Sequence, residues 1–356
     1  MGFSGASPEA RGSLLSEDSS RGHSDGLAII NNGEEEKRMI IDIYNHHISK
    51  SVGQMMEKAK YYGQGKEFPY PVQNADPEVR LGLMDKHGVD IQALSQTTPV
   101  LLGFGPEDAA EICRRSNNDN YALCKAYPKR FVNICIFSLL DVGNAIKELD
   151  RSINELDCRG ITIASNQNGK GLDSPNYFPF YEKVVEHDLP VLIHPTHWES
   201  YPLVDMDKGW RMMHVFGWPF DTTQAVWRLI FGGVIDRFPS LKIVMHHLGA
   251  MIPFFVRRVE QNFKGLLANK LPRPITEYWG NLYGDTATDG TLGSYPCGYA
   301  FFGPDRMMYG SDYPFGGEAG EDFIRSNLAG VRSMKIPAKE KRKILGGNAK
   351  ELLKIR

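Results

Sequence analysis

Three histidines and an aspartate stand where short apolar runs of this chain come to an end. In Leu189-Pro190-Val191-Leu192-Ile193-His194-Pro195, the run Val191 to Ile193 is too short for a helix and reads as a buried strand. A histidine closes it, and a proline then stops the ladder. His46 comes soon after the run opened by Met39-Ile40-Ile41, His247 ends Leu241 to Met245-His246-His247, and Asp312 follows the run Arg306 to Tyr309. Imidazoles combined with a carboxylate suit a divalent transition metal that keeps one position open. Each residue alone has a plainer reading: His46 or His47 as a loop histidine, Asp312 as a helix cap. Four such residues at the ends of four strands make the metal site the better reading.

Bringing these ends together is the task of the intervening elements. Strand candidates run from Met39, over Val89 to Leu94, Phe131 to Phe137, Gly160 to Ala164, Val191 to Ile193, Leu241 to Met245, Asn281 to Asp285 and Arg306 to Tyr309. Between them lie helical stretches at Pro77 to His87, Ala109 to Ala126, Val142 to Leu156, Phe178 to His187, Thr222 to Phe238 and Pro253 to Leu267. Further helices are expected at Phe323 to Met334 and Lys339 to Ile355. Gly88 stands where a helix C-cap is expected. Strands alternating with helices mean βαβ units and a parallel sheet. Eight such strands predict an α/β fold, a (β/α)8 TIM barrel with insertion loops, whose strand C-termini face the active site. A doubly wound open sheet is weakened by the lack of a Gly-rich phosphate loop after the first strand.

Residues 1–37, rich in Gly, Ser, Glu and Arg, read as a disordered leader ahead of a single barrel domain over 38–356. The polar segment that continues to Asn74 reads as a loop over the site. Residues 196–220 read as a long loop carrying Trp198, Tyr201, Trp210, Phe216, Trp218 and Phe220, whose aromatics could clamp a planar ring or form a hydrophobic dimer patch. The whole chain has 356 residues, 42% hydrophobic and 24% charged, with a net charge of −2, an ordinary globular composition. That charge argues against nucleic acid as a partner. No apolar run is long enough to span a membrane and none reads as a signal peptide. The five cysteines are scattered, with no CxxC pair, and read as reduced thiols of a cytoplasmic protein.

Several stretches resemble the amidohydrolase-related superfamily, and within it the decarboxylase branch of aminocarboxymuconate-semialdehyde and γ-resorcylate decarboxylases. They are Asn166 to Asp173, Leu189 to Pro195, Gly217-Trp218-Pro219-Phe220-Asp221-Thr222-Thr223, Arg237 to Val244, His247-Leu248-Gly249, Tyr309-Gly310-Ser311-Asp312-Tyr313-Pro314-Phe315 and Gly347 to Leu353. The resemblance implies metal ligands at His46, His194 and Asp312, with His247 beside the metal as a base or outer ligand. The family's first-strand motif, His-x-His or Glu-x-His, reads Tyr44-Asn45-His46 here. A phenol with pKa near 10 is a poor ligand unless a cation lowers that value. Either Tyr44 is a phenolate ligand, or the metal has one protein ligand fewer, or the site holds no metal. The second is the reading adopted, with His46, His194, Asp312 and waters as the shell and Tyr44 beside the substrate. The resemblance also implies that Arg258 reaches the substrate of a neighbouring subunit, hence a homodimer or dimer-based oligomer. Trp198 and Phe220 are candidates to stack on a planar ring.

These readings predict a metal-dependent, non-oxidative decarboxylase of an aromatic or enoic acid. Zinc is the expected ion and manganese the alternative. Asp312 or His247 would supply the proton that replaces carbon dioxide. Hydrolysis of an ester, lactone, amide or C–C bond could use the same site. A non-catalytic ligand-binding barrel is the third reading.

Overall fold

Eight of the apolar runs become strands because each is buried on both faces, which favours continuous aliphatic sequence over alternation. The computed structural model describes residues 39–58, 76–196, 212–265 and 270–356. Its strands are β1 (Ile41–His46), β2 (Ile91–Ser95), β3 (Phe131–Phe137), β4 (Gly160–Ala164), β5 (Val191–His194), β6 (Ile243–Met245), β7 (Leu282–Asp285) and β8 (Met307–Met308). They lie in that order, every neighbouring pair parallel. The first and last edges then meet. Ile43 N donates to Tyr309 O at 2.9 Å and His46 N to Tyr313 O at 2.7 Å, and Asn45 bridges Tyr313 in parallel. The result is the expected (β/α)8 barrel.

Side chains alternate across each strand. Leu192 and Val244 are in register and point inward, packing with Ile41, Ile43, Ile91, Ala93 and Met308. Val191, Ile193, Ile243 and Met245 point outward, against helix residues such as Leu149, Tyr181 and Leu229. Burying each such side chain contributes about 1.5–3 kcal/mol.

The helix Pro77–His87 starts as its sequence predicts. Asp76 accepts from Glu78 N at 2.9 Å, Pro77 opens the first turn, and Gly88 closes the last at φ 72°. Three elements differ from expectation. Part of the polar segment before Asn74 is a helix, Lys50–Lys58. The helix after the aromatic segment, Trp218–Phe231, starts four residues before Thr222, with Pro219 and Asp221 in its first turn, so Phe220 sits on a helix and not in a loop. The expected helix from Lys339 breaks into Ala338–Arg342, a wide turn over Lys343–Gly347, and Asn348–Leu352. The wide turn contains Gly346, where a Cβ would stand 2.1 Å from the Met39 carbonyl oxygen. A further helix, Ser294–Phe302, follows β7. Residues 1–37, Trp198, Tyr201 and Trp210 lie outside the described residues.

Candidate active site

The alternation that fills the barrel also builds its mouth. Two residues beyond Leu192 comes His194, two beyond Val244 comes His246, and two beyond the inward Tyr283 comes Asp285. Tyr44 and His46 top β1 in the same way, after a register shift between Asp42 and Asn45. The Tyr44 ring, 1% exposed, lies among four imidazoles. It stacks on His246 at 3.7 Å between centroids and 21° between planes, and stands 4.7 Å from His46, 5.5 Å from His247 and 5.9 Å from His194. Such crowding needs Gly310 on the β8 side, where a Cβ would come within 2.8 Å of Tyr44 Cβ and 2.9 Å of Asp285 Cβ.

Asp312 reaches this cluster from a turn held against β1. Its own backbone is left-handed, φ 64°, and its N–H donates to Tyr44 O at 2.8 Å. Ser311 beside it donates from N and Oγ to the buried Asp42 carboxylate, at 3.0 and 2.6 Å. One Asp312 oxygen then lies 3.1 Å from His46 Nε2 and the other 3.8 Å from His247 Nε2. Burial pushes the Asp312 carboxyl up, but His247 and His46 more than offset this and hold it well below the usual carboxylate range. Burial pushes His247 down, and the Asp312 carboxylate reverses this, leaving it above the ordinary imidazole value. His46, His194 and His246 lie below that value, desolvation being the main cause in each.

The outer hydrogen bonds fix the tautomers. His194 Nδ1 lies 2.7 Å from the Pro195 carbonyl, which only accepts, so the ring's other nitrogen keeps its lone pair. Ser95 Oγ gives its one proton to Asn45 O at 2.8 Å, so it can only accept from His46 Nδ1, 3.4 Å away. A neutral His46 then turns the Nε2 lone pair toward the Asp312 carboxylate, an arrangement that a shared proton or cation relieves. Among the described residues, no group of three or more His, Cys, Asp and Glu side chains already surrounds one point as a metal shell would. The donor chemistry still fits a divalent ion: imidazole nitrogens with free lone pairs, backed by carbonyl and hydroxyl partners, beside an ionised carboxylate.

The neighbouring His47 turns away. Its Nδ1 meets Asn120 Oδ1 at 2.7 Å, and burial together with the Arg80 charge pushes it down to about 4. Phe220 is half-buried, next to Asp221, whose carboxylate accepts from Asn166 Nδ2 at 3.4 Å and Thr196 N at 2.8 Å, both near the β4 and β5 ends. Arg258 lies exposed on the helix Ile252–Lys264, and among the described residues its guanidinium has no carboxylate partner. Trp198 is outside the described residues.

Two members of the site escaped the sequence reading, His246 and Asp285. Asp285 Oδ2 accepts from His246 Nδ1 at 2.6 Å, and Oδ1 accepts from the backbone N–H groups of His247 at 3.2 Å and Ala287 at 3.0 Å. One carboxylate thus orients one histidine through its ring and the next through its backbone. His247 and Leu248 have φ values of 56° and 55°, so the turn needs such an anchor. Counting by twos from Val244 would have found His246.

A barrel mouth lined by histidines and a carboxylate is one feature of the chain's class, and the class itself is shown by the match of the amidohydrolase family model to residues 44–355: the chain belongs to that family. A 2-amino-3-carboxymuconate-6-semialdehyde decarboxylase from Dictyostelium discoideum is 32% identical over 335 residues, covering 88% of this chain and 91% of the relative. A γ-resorcylate decarboxylase from a Polaromonas strain is 26% identical over 288 residues, covering 78% of this chain and 86% of its own. Among solved structures, 5-carboxyvanillate decarboxylase from Novosphingobium aromaticivorans, with bound manganese, superposes with TM-score 0.79 at 24% identity. It covers 91% of this chain and 99% of that one. Its likeness bears on the fold.

Proposed function

We propose that the protein is a metal-dependent, non-oxidative decarboxylase of an aromatic or enoic carboxylic acid. The observation that carries this is the meeting of His46, His194, His247 and Asp312 at one barrel mouth, in a chain whose relatives are named decarboxylases. His46, His194 and Asp312 would hold the ion, zinc or alternatively manganese, which requires the direct His46–Asp312 contact to open. A bound divalent cation supplies positive charge beside the carboxylate and the carbon that becomes electron-rich.

The chain's own groups do the rest. The C–C bond breaks, its electron pair stays on the substrate carbon, and carbon dioxide leaves. His247, whose affinity for a proton is raised by the carboxylate 3.8 Å away, is placed to protonate that carbon. Asp312 sets that affinity, and it could pass a proton to the carbon only after first taking one up from His247. Tyr44 forms the floor of the site, while Phe220 and Trp198 are assigned to the substrate ring. Arg258, exposed and among the described residues without a carboxylate partner, suits the carboxylate in the site of a second subunit, as a charge-assisted bidentate pair. The five cysteines are all free, which fits a cytoplasmic setting.

A panel of hydroxybenzoates, muconate-type acids and neutral esters or lactones tests the reading. Carbon dioxide should be released from at least one acid, and product formed in heavy water should carry deuterium at the vacated carbon. Turnover of esters alone, with no carbon dioxide from any acid, would establish a hydrolase instead.

A further inference from the structure

We propose that His246 is a further metal-binding residue of this site, offering Nε2 as the donor that the phenol at position 44 does not supply. Its side chain is 1% exposed, yet Nε2 is buried with no hydrogen-bond partner. Nδ1 is occupied by the Asp285 carboxylate at 2.6 Å, so in the neutral ring the proton sits there and the lone pair on Nε2. Buried polar atoms in folded proteins are almost always bonded, and a buried nitrogen bonded to nothing calls for an explanation. Its place in the fold gives one. The residue follows β6 directly, on the same inward side as Val244, with the His194 ring 6.0 Å away and the Tyr44 ring lying flat against it.

Carboxylate, imidazole and cation in series is how proteins orient a metal-binding histidine and raise its basicity. Asp285 stands in the first place and His246 in the second. Tyr44 fixes the plane of the ring by stacking on it. His247, whose Nε2 already faces Asp312, is left to handle the proton. The other buried imidazole nitrogen without a hydrogen-bond partner among the described residues is His247 Nδ1, on the ring whose Nε2 faces Asp312.

This inference rests on the metal-dependent reading above, and one titration separates the two. Full-length protein is stripped with a chelator and titrated with Zn2+ by calorimetry and with Co2+ by visible absorption. His246→Asn keeps a donor for Asp285 and removes Nε2 together with the rest of the ring. His246→Gln, which fills more of the ring's volume, serves in its place if the Asn variant does not fold by near-ultraviolet circular dichroism. The affinity should fall by more than the ~10- to 100-fold typical of an outer partner, the Co2+ spectrum should change, and the rise in Tm that Zn2+ gives wild type should vanish. Wild-type affinity in the folded variant would overturn the role of His246 and leave the decarboxylase site standing. A wild type that binds neither ion would overturn both.

Discussion

Asp42 shows how single residues set the site without touching substrate. Its carboxylate is fully buried under β1, where it accepts from Ser311 N and Oγ, Gln92 Nε2 and Tyr44 N. Desolvation still pushes it up to about 7, against an unfolded value near 3.8. The folded state thus keeps its proton where the unfolded state has lost it. Asp42 therefore contributes stability that is complete below about pH 4 and is lost as pH rises through about 7. Asp285, also pushed up to about 7, acts in the same direction. His46, His47, His194 and His246, all lowered, act in the opposite one, losing stability below about pH 6.5. The informative quantity is therefore a difference. Urea unfolding of wild type and Asp42→Asn at pH 5 and pH 8 should show that the substitution costs more at pH 5 than at pH 8. A cost independent of pH would refute the assignment. Little of this was legible in the sequence. His46, His194, His247 and Asp312 were, because each follows a recognisable strand. Asp42 was not, because the face it takes depends on a β1 register shift, whereas His246 needed only the period-two count from Val244 carried one step past a three-residue β6.

At the scale of elements, the helix Pro77–His87 acts as a bracket for β1. Its Arg80 is fully buried, and the guanidinium reaches Asn45 Oδ1 at 3.0 Å, Gln92 Oε1 at 2.9 Å and the His46 carbonyl, lying 4.6 Å from the centre of the Tyr313 ring. Burial lowers its pKa to about 10, so it stays charged at neutral pH. It thus ties the strand that carries His46 to the loop that carries Asp312. Arg80→Met would leave three buried acceptors unpaired at ~1–3 kcal/mol each. Loss of about 3–5 kcal/mol in the unfolding free energy is expected, measured by urea titration. A loss below about 1 kcal/mol would show that these contacts do not brace the strand. The caps of this helix could be read directly, since Asp76, Pro77 and Gly88 are local signals. The broken C-terminal helix could not, because its wide turn answers the Met39 backbone, some three hundred residues away in the chain.

At the scale of the whole molecule, alternating strands and helices made the barrel legible. Assembly is a different matter, because it depends on which apolar residues the fold leaves outside. The helices Trp218–Phe231 and Ile252–Lys264 meet where Met251 N donates to Thr223 Oγ1 at 3.1 Å. On the second helix Phe254 is 76% exposed, with Phe255 beside it and Arg258 one turn further along, and just ahead of the first helix Phe216 is 59% and Val215 56% exposed. Exposed aromatics on neighbouring helices are what an interaction surface would use. In a two-fold dimer the same patch faces itself, which would carry Arg258 of each subunit toward the other. Sedimentation should therefore give twice the chain mass of 40.0 kDa. Phe216→Asp combined with Phe254→Asp should give monomers with unchanged far-ultraviolet circular dichroism. Complementation tests the arginine itself. Arg258→Ala lacks the carboxylate partner and His247→Asn lacks the proton donor, so each alone should decarboxylate poorly. In a mixed dimer, the site with intact His247 receives Arg258 from the other chain and is complete. Equal mixing with free exchange makes half the dimers mixed, each with one complete site, so about a quarter of wild-type activity should return. No recovery, with exchange verified by differently tagged chains, would place Arg258 in its own subunit's chemistry or outside the reaction.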